Sequence, residues 1–114
     1  MKIKISVVSN MWIKQMDFEH SGDIMEGHKH KFDHQTLLAV GVFEVCVDGV
    51  CGEYADTILF IEKGKEHSIK CVSDFGRGYC LHPLRDGEKV EDIIDPADMP
   101  MFGGSLKNAT SLVE

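Results

Sequence analysis

Residues 22–41 read GDIMEGHKHKFDHQTLLAVG, and three of the chain's six histidines, His28, His30 and His34, fall within seven positions of it. Side chains on a strand alternate with a period of two, so His28 and His30 point to one face. His34 keeps that parity unless Lys31, Phe32 and Asp33 bend the chain and reset it. Two imidazoles side by side suit a metal ion or a polar pocket. They suit an apolar core badly, because each ring nitrogen then needs a partner.

Downstream, residues 35–40 form a short apolar run ending at Gly41, and the sequence VFEVCV-DG-VCGEY follows. Asp48-Gly49 between alternating strands predicts a two-residue type I′ hairpin, with positive φ at both central positions. That register pairs Val47 with Val50 and Cys46 with Cys51. Residues 57–61 (TILFI) read as a short buried strand, and EKGKE as a polar turn. His67, Ile69 and Cys71 then share one face of the next strand, which places His67 at its start. Residues 79–82 (YCLH) make a last strand, stopped by Pro83; His82 is either a strand-end residue or part of a pocket wall.

Upstream, residues 2–7 alternate as an edge strand carrying lysines, and Ser9-Asn10 is a turn. Residues 11–20 place Trp12, Met16, Phe18 and His20 on one parity, with Lys14 interrupting the series. Beyond Arg85 the pattern weakens. A helical turn near Ala97 and a loosely ordered end are expected in residues 96–114. Many short strands with frequent turns predict an all-β sandwich or barrel.

The chain of 114 residues is long enough for one domain with one core. A net charge of −7 argues against nucleic acid and against an anionic membrane surface. No apolar run reaches the ~18–20 residues of a membrane span. The start, MKIKISVVSN, lacks the pattern of a signal peptide, so a cytoplasmic location is expected. In that compartment the four cysteines, Cys46, Cys51, Cys71 and Cys80, are expected to be reduced, although the hairpin register lets Cys46 and Cys51 touch and form a disulfide in an oxidising setting. They sit among apolar residues with no C-x-x-C spacing.

The spacing Gly22, His28, His30, His34, Gly41 resembles the first motif of the cupin superfamily, G(X)5HXH(X)3–4E(X)6G, with His34 in place of the glutamate. Asp56, Glu62, Gly64, His67 and Cys71 stand at the positions of the second motif, G(X)5PXG(X)2H(X)3N, of which Gly64 and His67 are kept. The resemblance covers residues 10–83 and implies a double-stranded β-helix, the cupin jelly-roll barrel. It further implies a divalent transition metal (Fe, Zn, Ni, Mn or Cu) held by His28, His30, His34 and His67. An imidazole at position 34 leaves more of the ion's charge uncompensated, which favours an anionic chelating substrate. His34 is either a fourth ligand or swings out to leave three. The expected activity is dioxygenase-like chemistry on a small molecule. The alternatives are an isomerase or lyase, and a metal-containing binding module without turnover. A homodimer is expected, as for other small cupins.

Overall fold

A computed structural model of the chain describes residues 1–28 and 32–88, residues 27 and 28 through their backbone alone. His30 and the expectations for residues 89–114 lie outside the described residues. All regular structure described is β: β1 (Lys2–Val8), β2 (Met11–Phe18), β3 (Ile24–His28), β4 (His34–Val47), β5 (Val50–Ile61), β6 (His67–Cys71) and β7 (Gly76–Pro83). The strands follow the order β1-β2-β7-β4-β6-β3, and β5 pairs with β4 off this path. Every pairing is antiparallel.

The two segments on either side of Gly41 are one strand, not two. β4 runs 14 residues. Its first half pairs with β7, from Gln35↔Leu81 to Val40↔Arg77, and its second half pairs with β6, from Phe43↔Cys71 to Val47↔His67. The register shifts between Leu38 and Val42, where Gly41 takes a φ of 89°. A Cβ there would collide with the Phe75 carbonyl oxygen and lie 2.9 Å from Gly76 Cα. Only glycine meets both demands, a left-handed backbone and a close neighbour. At Asp56, where the second cupin motif has glycine, φ is 51°. Aspartate is among the few residues that tolerate this conformation, which accounts for the departure.

The Asp48-Gly49 hairpin forms in the predicted register, with φ of 48° and 81° at its two turn residues. Ser9 and Asn10 make a second tight turn with positive φ at both positions. Inward parity builds the core: Val7, Trp12, Met16, Phe18, Leu38, Phe43, Ile69 and Cys71 are at most 1% exposed. Phe18 and Phe43 meet edge to face at 5.1 Å, a geometry worth about 0.5–1.5 kcal/mol beyond the area buried. Outside, Arg77 donates from Nε and Nη2 to the two carboxylate oxygens of Asp17, its partner across β2 and β7. The guanidinium holds the Asp17 carboxyl below its usual range.

Two expectations are corrected. Residues 57–61 do not form a buried strand of their own; they are the second half of β5. Among the described residues β5 pairs only with β4, and Ile58 and Phe60 on its outward parity are 65% and 56% exposed. The expectation of four reduced cysteines also fails, since Cys46 and Cys51 are joined by a disulfide. The hairpin register sets the two residues directly opposite each other, with Cα atoms 4.0 Å apart. Cys71 and Cys80 are buried and lie outside the disulfide.

Gly41→Ala is expected to lower the unfolding free energy by more than about 1 kcal/mol. Asp56→Gly, which relieves a left-handed non-glycine residue, is expected to be neutral or stabilising. Urea denaturation of the two variants checks both.

Candidate functional site

The ladders sort the inward side chains into layers. Across β1, β2 and β7, the registers Val7↔Trp12 and Trp12↔His82 form one row. Gln35 lies opposite Leu81, so one step further along the ladder His34 comes opposite His82. The next row contains Ile5, Lys14, Cys80 and Thr36. On the other wall, His67 lies between Val47 of β4 and His28 of β3. Histidines therefore gather at one end of the barrel, while Phe18, Phe43 and Cys71 fill the other.

His34 and His67 are 1% and 2% exposed, and their ring centroids are 5.2 Å apart. They come from different sequence motifs and meet because β4 and β6 are adjacent walls. His28 joins them through its backbone, as the residue paired with His67. His30 lies outside the described residues. Among the described residues no three His, Cys, Asp or Glu side chains form a group able to hold a metal ion.

His67 has a defined ring orientation. Its Nδ1 lies 3.3 Å from the Lys65 carbonyl oxygen. A carbonyl only accepts, so Nδ1 is the donor in this contact. An imidazole held this way is prepared as a metal ligand.

His82 is fully buried. Its Nδ1 lies 2.6 Å from the Asp33 carbonyl oxygen, and its Nε2 lies 3.1 and 3.2 Å from the two Glu88 carboxylate oxygens. Both ring nitrogens thus face acceptors. Glu88 also accepts the Arg85 backbone N–H at 2.7 Å, and Arg85 Nη2 donates to both Asp33 carboxylate oxygens. Burial alone raises the Glu88 carboxyl. The Arg85 amide and the His82 ring, with the charges of both residues, outweigh it and hold the group below its ordinary 4.5. This network clamps the segment after β7 onto the bend that carries Asp33 into His34.

Phe32 packs into the same end. Its ring lies 5.4 Å from Trp12, 4.7 Å from His82 and 6.1 Å from His34. Trp12 is 1% exposed, and its Nε1 has no acceptor among the described residues. Lys14 is 4% exposed, with Nζ 3.9 Å from Met25 Sδ. Sequence reasoning treated Lys14 as an interruption of an apolar face. The register shows that it stays on that face, two residues from Trp12, and faces inward. Its parity was the signal available. His20, by contrast, is exposed beyond the end of β2.

No protein-family model and no curated protein sequence matches the chain. Solved structures do. KdgF from Halomonas sp. superposes with a TM-score of 0.64 at 19% identity, over 74% of this chain and 79% of that one. An RmlC-like cupin family protein with a double-stranded β-helix fold from Methanocaldococcus jannaschii gives a TM-score of 0.61 at 12% identity, over 72% and 80%. An RmlC-like cupin from Shewanella frigidimarina gives 0.58 at 19% identity, over 75% and 87%. No helix among the described residues is long and apolar enough to cross a membrane.

Glu88→Gln is expected to destabilise the protein at neutral pH, as read by thermal unfolding. The folded-state value of Glu88 lies below the unfolded one, so its contribution is complete above the unfolded value and lost as pH falls through the folded value. The gap between variant and parent should therefore close as the pH drops below 4.5. The strand order, the layered interior and the structural likenesses agree: the fold of this chain is the cupin double-stranded β-helix.

Proposed function

We propose that the histidine end of the barrel is a transition-metal site and that the protein acts there on a small anionic molecule. The observation that carries this reading is the approach of the buried His34 and His67 rings to 5.2 Å, with His28 paired to His67 through the backbone. His28, His30, His34 and His67 would hold the ion. Imidazole donors suit Fe, Zn, Ni, Mn or Cu better than Mg or Ca. Such an ion would supply Lewis acidity and, as iron(II), redox chemistry with dioxygen.

The chain's own residues account for the rest. The Lys65 carbonyl orients His67, and the clamp of Asp33, Arg85 and Glu88 steadies the bend before His34. The Trp12 N–H, which has no acceptor among the described residues, is an interior donor for an anionic substrate. The favoured chemistry is dioxygenase-like, with isomerase or lyase chemistry as the nearest variant. A binding module without turnover is the second reading. Phe32 supports it, because its ring fills space between His34 and His82 that a bound substrate would need.

Elemental analysis of protein purified without a histidine tag tests the site. Stoichiometric metal is expected in the parent, and none in a variant combining His34→Ala with His67→Ala; retention there removes the proposal. Oxygen uptake by the iron-loaded protein across diketones, thiols and small acids separates dioxygenase from binding module. The proposal also includes a homodimer, for which light scattering should give twice the chain mass of 12.7 kDa.

A further inference from the structure

The Cys46–Cys51 bridge has a position that a structural staple does not require. It spans only five positions of sequence. The hairpin ladder already closes that loop on both sides, through Val45↔Gly52 and Val47↔Val50. A cross-link adds most where it closes a long loop that would otherwise be open. In a two-residue hairpin the pair next to the turn exchanges main-chain hydrogen bonds, and the following pair does not. Cys46 and Cys51 are that following pair, so opening the bond breaks no rung of the ladder.

The bridge is accessible and connected. Cys51 is exposed and Cys46 half-buried. Their depression is shared with Asp48, Glu66 and His67. Asp48 accepts the Glu66 N–H at 3.0 Å through its side chain, and its own N–H donates to the Glu66 carbonyl at 2.8 Å. Lys65 Nζ lies 3.4 Å from the Asp48 carboxylate, and the Lys65 carbonyl receives His67 Nδ1. Cys46 and Val47 are themselves paired with Ser68 and His67. The hairpin tip therefore grips the segment that sets the His67 ring.

We propose that Cys46–Cys51 is a reversible thiol–disulfide site, opened by a dithiol reductant, whose state is transmitted through Asp48 to the loop preceding His67. A reductant thiolate attacks the exposed Cys51 sulfur, forms a mixed disulfide and releases Cys46 as a thiolate. The second reductant thiol then attacks the mixed disulfide and releases Cys51. The products are two protein thiols and one oxidised dithiol. Two electrons and two protons pass to the protein.

The test uses the full chain after equilibration with dithiothreitol in its reduced and oxidised forms. Alkylation followed by mass spectrometry should find four thiols in the reduced protein and two, Cys71 and Cys80, in the oxidised protein. Both forms should be folded. Amide NMR should show shifts at residues 45–52 and at Glu66, His67 and Ser68, with β1, β2 and β7 unchanged. With oxidised glutathione, Cys46→Ser should gain one glutathione at Cys51 faster than Cys51→Ser gains one at Cys46. A bond that opens only when the protein unfolds, or a variant that cannot fold without it, makes the bridge a staple and overturns the proposal. Unchanged amides at residues 66–68 overturn the transmission to His67.

Discussion

The architecture rests on one strand that belongs to two walls. β4 pairs with β5 along most of its length, while its opposite edge changes partner from β7 to β6 at the bend near Gly41. Backbone hydrogen bonding has to stay satisfied through that exchange. It can because Gly41 takes a left-handed conformation against the backbone of Phe75 and Gly76, which no side chain would permit. Without the bend, His34 and His67 would belong to separate sheets. With it, they share one end of an interior.

That interior is polarised along the barrel. Aromatic and aliphatic side chains close one end, and His34, His67 and His82 occupy the other with Lys14 a layer beneath. Burying so many polar groups costs free energy unless each is engaged, and the engagement differs from residue to residue. His67 is oriented by the carbonyl of Lys65, and His82 by an acceptor at each ring nitrogen. A Glu88 carboxylate held in its charged form suits the second arrangement. Such satisfied networks fix geometry more than they add stability. Fixed geometry is what a binding site requires.

Much of the fold was legible because period-two alternation and turn chemistry are local. The Asp48-Gly49 hairpin and its cysteine register, the inward parity of His67, Ile69 and Cys71, and the edge position of β1 all follow from neighbouring residues. The failures share a cause. Residues 57–61 read as buried because they are apolar, yet burial depends on whether a strand acquires a second neighbour, and among the described residues β5 has only β4. Lys14 read as a break because of its charge, although its parity already placed it inside. His82 gained its place from Asp33 and Glu88, whose approach no local pattern announces. The proximity of Cys46 and Cys51 was legible in the hairpin register, but the expected compartment favoured thiols where the structure has a bridge.

The sequence by itself determined the strands, their turns, the spacing that resembles the cupin motifs, and the inward face of His67. These depend on backbone conformation within a few residues. Tertiary structure alone decided which faces meet. It brought His34 to His67, seated Phe32 between Trp12 and His82, left one flank of β5 in solvent, and tied the hairpin tip to the segment before His67. The physical reason is that a strand specifies the direction of its side chains, whereas their partners are set by how the sheet curls and closes.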